Sequence, residues 1–243
     1  MTETRPPDRL RALVCLPTYD EKDNVVPMTE AILAATPDVD VLIIDDNSPD
    51  GTGQLADGIA AREPRVKVLH RAGKEGLGKA YLAGFDWALG HGYELILEMD
   101  ADFSHDPKYL PGMLEAARGA DLVLGSRNIP GGGTVNWGVG RKIISRGGSL
   151  YARTILGIPV RDLTGGFKCF HRKVLESIDL ATVECSGYAF QIELTFRAIR
   201  RGFRVVEFPI VFVDRRVGQS KMSKRIVLEA LRKVWSIRRT NFR

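Results

Sequence analysis

Two aspartates one residue apart, Asp100 and Asp102, follow an apolar run from Glu94 to Met99. Two carboxylates at that spacing, at the end of a strand, can face one hard divalent cation, and oxygen ligands suit Mg2+ or Mn2+. Such a cation bridges a diphosphate and neutralises the charge that develops on a leaving group. Ser104 adds a further oxygen, directly or through water. An isolated D-x-D also serves as a capping or turn pair; its place after an apolar strand favours the metal. A second acidic pair, Asp45-Asp46, ends another apolar run. Either one of its carboxylates accepts from a nucleobase edge or a ribose hydroxyl, or the pair forms an Asx-turn. Arg127, Arg215 and Lys221 follow strand-like segments. An anionic diphosphate leaving group needs such cations, although a single arginine is more often a solvated charge.

The run Gly73-Lys74-Glu75-Gly76-Leu77-Gly78-Lys79-Ala80 is a near miss to a phosphate-binding P-loop. It follows a strand and opens a helix as that motif requires, but Ala80 stands where a serine or threonine would hold Mg2+. NTP hydrolysis or phosphoryl transfer is therefore the runner-up chemistry. The plainer reading is a glycine-rich loop lying close to a ligand or over the active site. His70, His91, His105 and His171 are scattered without metal-ligand spacing, and no G-x-S-x-G elbow is present.

Strands and helices must alternate to place these groups. Strand patterns are expected at 12–16, 39–44, 66–70, 94–99 and 121–124, with helices at 23–35, 52–62, 77–89 and 108–117. That alternation predicts an α/β fold with a mostly parallel central sheet and helices on both faces. Ligands of such sheets bind at the carboxyl ends of the strands. Three strand ends carry the polar residues: Pro17-Thr18-Tyr19-Asp20-Glu21, Asp45-Asp46 and Asp100-Ala101-Asp102. The second half is less regular. Gly131-Gly132-Gly133 marks a mobile loop, 141–156 and 188–201 are helical, Leu163 to Phe167 is a tight strand entry, and 203–213 is strand-like with Pro209 near an edge or bulge. Residues 1–9 read as a loose leader, 10–222 as one catalytic domain, and 223–243 as a basic amphipathic helix.

The 243 residues suit one large domain, and their 44% apolar and 27% charged content is that of an ordinary globular chain. No stretch approaches the roughly 18 to 20 apolar residues of a spanning helix. No apolar segment of a secretory signal is visible, so a cytosolic place, peripheral on a membrane face, is expected. Cys15, Cys169 and Cys185 are odd in number and without metal spacing, as expected of reduced thiols. Net charge is +5, but Lys221 to Arg243 holds eight Lys/Arg and one acid, so the remainder is −2. Basicity confined to the tail argues against nucleic-acid binding and for one anionic surface.

The runs PTYDE, IIDDNSPDGT, KEGLGKAY, MDADFSHDP, GSR, RKIISRG, DLTGGFK and FVDRRVGQSK, in that order, resemble the polyprenol-phosphate (dolichyl-phosphate) mannosyltransferases of glycosyltransferase family 2, which have a GT-A fold. The resemblance spans residues 12 to about 222. It implies transfer of mannose from GDP-mannose to a polyprenyl phosphate with inversion, aided by Mg2+ or Mn2+; glucosyl transfer from UDP-glucose is the nearest rival. It further implies a nucleoside pocket at Pro17, Tyr19, Glu21, Ile44 and Asp46, and a diphosphate and metal site at Asp100, Ala101, Asp102 and Ser104. Arg127 joins Asp102 in catalysis, and Arg215 and Lys221 clamp the diphosphate. Arg141, Lys142, Ser145 and Arg146 are candidates for the acceptor phosphate.

Some members of that family carry spanning helices, whereas this sequence runs to Arg243. In the last helix Val227, Leu231, Val234 and Trp235 share one side and basic residues the other. It is expected either to lie at a membrane headgroup boundary or to pack on the domain. A membrane-protein anchor partner is the third possibility.

Overall fold

The computed structural model describes residues 10–183, 185, 187–214 and 224–240. The expected leader and the two clamp residues Arg215 and Lys221 lie outside them. Among the described residues a seven-stranded sheet forms from β1 (Ala12–Thr18), β2 (Val39–Asp45), β3 (Val66–His70), β4 (Leu95–Glu98), β5 (Leu122–Ser126), β7 (Lys168–His171) and β8 (Val205–Pro209). Its order is β3-β2-β1-β4-β7-β5-β8. All neighbours run parallel except β7, which is antiparallel to both β4 and β5. A separate parallel pair joins β6 (Gly133–Val135) to β9 (Val211–Val213).

β1 is apolar at nearly every position because both of its faces are covered, as in parallel sheets generally. Leu13 and Cys15 point into one core, formed with α3 (Leu77–Gly90), α5 (Val139–Leu156), α6 (Arg172–Ser177), α7 (Gly187–Arg200) and α8 (Lys224–Arg239). Ala12, Val14 and Leu16 point into the other, with α1 (Val25–Ala35), α2 (Thr52–Ala60) and α4 (Leu110–Ala117). This is the expected mostly parallel sheet with helices on both faces.

Two details depart from the expectations. The glycine run at 131–133 enters β6 and pairs with β9. The strand-like segment 203–213 divides at Pro209: β8 stays on the main sheet edge while β9 leaves it. Ile210 marks the division, donating its N–H to Ser126 O at 3.0 Å and accepting from Gly133 N at 2.9 Å. β7 follows the expected strand entry at 163–167, with a lysine at its first position.

α8 packs against α5 and α7. Val234 and Ile237 are buried in the domain core, so this stretch of the helix turns its apolar side inward. Trp235 remains half-exposed, and its indole N–H donates to the Tyr151 hydroxyl at 2.9 Å. None of the described helices is long and apolar enough to cross a membrane.

Candidate active site

The sheet order puts β1 between β2 and β4, and the register aligns Thr18 with Asp45 and Cys15 with Glu98. Chains leaving these three neighbouring strand ends therefore emerge side by side, which is where open α/β sheets bind ligands. A cleft of about 290 Å3 opens there, lined by Pro17, Tyr19, Glu21, Asp46, Asp100, Ala101 and Asp102. These seven were expected at the nucleotide-sugar site. Thr18, Lys74, Gly76, Leu77 and Ala80 complete the wall. The glycine-rich loop thus lies over the cleft, and Lys74 Nζ stands 3.7 Å from the centre of the Tyr19 ring.

Ile44 is not in the wall. Its side chain is fully buried on the α3 side of the sheet, where a Cβ on Gly84 would come within 2.5 Å of its Cδ1. Only its carbonyl serves the rim, accepting from Thr18 Oγ1 at 3.3 Å. Side-chain alternation along β2 decides this: Ile44 and Asp45 face opposite ways.

The two acidic pairs have different lives. Asp45 Oδ1 accepts from the Ser48 hydroxyl at 2.6 Å, closing the turn after β2. Asp46 faces the cleft and is gripped by Arg71 at 2.5 Å, which in turn reaches Glu75 at 2.6 Å. Burial raises the Asp46 carboxyl above its ordinary value, against the pull of Arg71. Arg71 had no motif to announce it.

Around the D-x-D pair, Asp100 is one-third exposed and accepts from the Tyr81 hydroxyl at 3.2 Å. Its backbone N–H donates to His105 Nδ1 at 3.2 Å. His105 is buried, stacked on Phe167 and edge-on to Phe212. Burial holds its imidazole down at about 4; the nearby Asp102 raises it and Arg127 lowers it. A neutral ring with Nδ1 free to accept fits that bond. Asp102 Oδ1 accepts from Ser104 N at 3.0 Å, and the buried Ser104 hydroxyl has no hydrogen-bond partner among the described residues. Phe103 takes a left-handed φ of 61°, which a non-glycine residue adopts at a cost.

These residues fit a hard divalent cation: two carboxylates and an unsatisfied hydroxyl, all oxygen. No group of three or more His, Cys, Asp or Glu among the described residues could hold a metal on its own. A cation held there would draw the rest of its coordination shell from substrate oxygens and water, as is common for Mg2+.

A second recess is small and basic, lined by Arg127, Asn128, Thr134, Trp137, Lys142, Ser145 and Arg146. Arg127, Ser145 and Arg146 meet here. Arg141 instead pairs with Asp214 at 2.8 Å and lies over the Trp137 ring at 4.1 Å. Arg127 sits in this recess, not in the cleft wall. Its guanidinium is bidentate on Asp162 and also donates to Thr164 Oγ1 at 2.9 Å. Burial works against its charge, but the Asp162 carboxylate outweighs it and raises Arg127 above its ordinary value. Phe212 touches both His105 and Trp137, so the recess and the D-x-D segment share one aromatic wall. The sequence singled out neither Asp162 nor His105 for a role at the site.

A crevice at the switch point of a mostly parallel sheet, with a D-x-D pair on its rim, is the architecture of a GT-A glycosyltransferase. The glycosyl transferase family 2 model matches residues 13–179, and the chain belongs to that family. It is 51% identical over 222 residues to an undecaprenyl-phosphate mannosyltransferase of Micrococcus luteus, covering 91% of each chain. It is 50% identical over 232 residues to a polyprenol monophosphomannose synthase of Mycolicibacterium smegmatis, covering 94% of this chain and 88% of the relative. Among solved structures, glucosyl-3-phosphoglycerate synthase of Mycobacterium tuberculosis with Mn2+, UDP and phosphoglyceric acid superposes with a TM-score of 0.70 at 17% identity, covering 96% of this chain and 80% of the other. A mannosyltransferase of Pyrobaculum calidifontis in complex with GDP-Man and Mn2+ superposes with a TM-score of 0.58 at 16% identity, covering 94% and 70%. At those identities the structures speak for the fold. Membership removes the P-loop alternative, and the glycine-rich loop is part of the transferase cleft.

Proposed function

We propose that this chain transfers mannose from GDP-mannose to a polyprenyl phosphate, with inversion, at a membrane surface. The two relatives at about half identity are named for mannosyl transfer to, or mannosylation of, a polyprenol phosphate. The observation that carries the reading is the pairing of an acidic, nucleoside-sized cleft with a separate basic recess, the two joined by Phe212, which packs between His105 behind the D-x-D segment and Trp137 of the recess. A donor diphosphate bridged by a divalent cation fits the first, and an acceptor phosphate the second.

In this reading the nucleoside lies against Pro17, Tyr19 and Glu21, with Asp46 on its polar edge. Asp100 and Asp102, with Ser104, hold Mg2+ or Mn2+. The cation supplies charge neutralisation for the departing diphosphate. Arg215 and Lys221 add positive charge to the same group. Arg127, Ser145 and Arg146, joined by Lys142, receive the acceptor phosphate; Asp162 fixes the orientation of the Arg127 guanidinium. Arg141 stands behind them, on Trp137. An acceptor oxygen attacks the anomeric carbon as the bond from that carbon to the donor phosphate breaks, and GDP leaves with the electron pair. A phosphate monoester has its second pKa at about 6 and is already anionic at neutral pH, so no strong general base is required. The one histidine beside the D-x-D pair, His105, spends Nδ1 on the Asp100 backbone. Positioning and preorganised charge supply the acceleration.

The test is transfer of radiolabelled sugar into organic-extractable lipid from GDP-mannose and, separately, UDP-glucose, with Mg2+, Mn2+ or EDTA. Metal-dependent transfer from GDP-mannose alone is expected. Transfer from UDP-glucose instead would keep the mechanism and overturn the sugar. No transfer even with a membrane fraction restored would overturn the reading.

A further inference from the structure

α5 is amphipathic in an unusual direction. Ser149, Ala152 and Leu156 face the core. On the opposite side Val139, Ile143 and Leu150 are 74%, 65% and 59% exposed. At 3.6 residues per turn these three fall within an arc of about 40°. Single exposed apolar side chains are ordinary, but an aligned row of them is not. Ile144 and Trp235 are also exposed, and the bond from Trp235 to Tyr151 sets the α8 indole beside α5.

Charge singles out the same region. α5 and α8 together contain ten Lys/Arg and a single acid, Glu229, for a net +9. With +5 for the whole chain, everything else sums to −4. The two helices pack on each other, so positive charge is concentrated on one side of the molecule. Lys142 and Arg146, on the flank of the apolar row, line the basic recess together with Ser145, which lies round toward the core side of the helix.

We propose that the outward row of α5, Val139, Ile143 and Leu150, is the surface that enters the headgroup boundary of an anionic bilayer, bringing the recess at Arg127 level with the lipid phosphates. This rests on the reading of the acceptor as a lipid phosphate. The apolar row supplies burial in the outer acyl region, and the basic flank supplies attraction to anionic headgroups. A polyprenyl phosphate then enters the recess without leaving the membrane. The buried side of α8 at Val234 and Ile237 holds that helix to the domain, so α8 contributes charge and Trp235.

The experiment compares the full chain with V139E/I143E/L150E in flotation on phosphatidylcholine–phosphatidylglycerol vesicles. It also measures transfer to long-chain polyprenyl phosphate in those vesicles and to a short-chain, water-soluble polyprenyl phosphate. Wild type should float, and the variant should lose vesicle binding by roughly tenfold or more. Long-chain transfer should fall with it, short-chain transfer should hold, and the thermal midpoint should be unchanged. A second variant, Ile143→Glu alone, should show a smaller loss of the same pattern. Flotation equal to wild type would overturn the proposal. So would equal loss on both acceptors, or wild-type flotation only on vesicles that carry native membrane proteins, which would point to a protein anchor. If wild type transfers to neither acceptor the functional reading fails, and the flotation result still decides the surface.

Discussion

The Arg127 guanidinium is clasped by the Asp162 carboxylate, with Nε 2.7 Å from Oδ2 and Nη2 2.7 Å from Oδ1. Asp162 also accepts from Arg127 N at 2.9 Å, so one carboxylate fixes both the side chain and the backbone of the arginine. Both are buried, and the pair holds Asp162 below its ordinary value even though burial alone would raise it. Removing one partner strands a buried charge, which costs about 3–5 kcal/mol. Asp162→Asn should therefore lower stability by that order in denaturant titration. In the surviving folded enzyme the KM for polyprenyl phosphate should rise at least roughly tenfold while the KM for GDP-mannose holds. Arg127→Lys should not restore the acceptor KM, because an ammonium cannot make the two-toothed contact.

The carboxylates of the D-x-D pair are expected to differ in cost from the serine. Asp100→Ala and Asp102→Ala should each reduce transfer by roughly a hundredfold or more, as loss of a main electrostatic contributor does. Ser104→Ala should cost at most about tenfold, since water can replace a hydroxyl ligand. Mn2+ or Mg2+ titration of the EDTA-treated protein, read as donor binding, should show a raised metal requirement for all three. Full activity in Asp102→Ala would remove the metal assignment.

Beneath that pair two titratable side chains are buried without touching: neither carboxylate oxygen of Glu98 has a hydrogen-bond partner among the described residues. Glu98 on β4 is in register with Lys168 on β7, and both are almost fully buried. Burial pushes Glu98 up to about 7, with Lys168 pulling it back, and brings Lys168 down to about 8. Lys168 Nζ donates to Gln191 O at 2.7 Å, tying β7 to α7. Lys168→Met alone should destabilise by about 1–3 kcal/mol at neutral pH, through the lost bond to Gln191 O and the lost pull on Glu98, and Glu98→Gln/Lys168→Met should recover the part that comes from Glu98. Equilibrium unfolding of the two singles and the double closes that cycle.

His105 gives a pH signature. Its folded value, about 4, lies below the ordinary 6.5, so the unfolded chain binds the proton more readily. The neutral ring's contribution is fully present above 6.5 and is lost as pH falls through 4. His105→Asn keeps an acceptor for the Asp100 N–H but does not titrate. The stability difference between wild type and His105→Asn should shift against wild type by up to ~3 kcal/mol between pH 6.5 and 4. A difference that stays flat over that range, measured by urea titration, would remove this account of His105.

Much of the fold was legible in local pattern. β1, β2 and β4 read as strands because their residues are apolar over short, bounded runs. The polar PTYDE, Asp46 and D-x-D segments stood out because strand ends switch abruptly from apolar to acidic. The glycine-rich loop declared its place through Gly76, whose φ of 102° lets the chain turn into α3. The parallel sheet then brought three distant strand ends to one rim, as such sheets must.

Other features depended on approaches that no local pattern encodes. Arg127 looked like a diphosphate ligand, but Asp162, 35 residues away, claims it for the recess. Ile44 lies one residue from the polar turn, yet the two-residue period of a strand turns it into the core. The α8 face read as lipid-seeking is buried at Val234 against the domain, while α5 presents the exposed apolar row. Sequence determined which segments become strands and helices and which residue types stand at their ends, because those depend on short-range periodicity. Tertiary structure decided which charges pair and which apolar faces stay open, because desolvation and ion pairing depend on neighbours brought together only by folding.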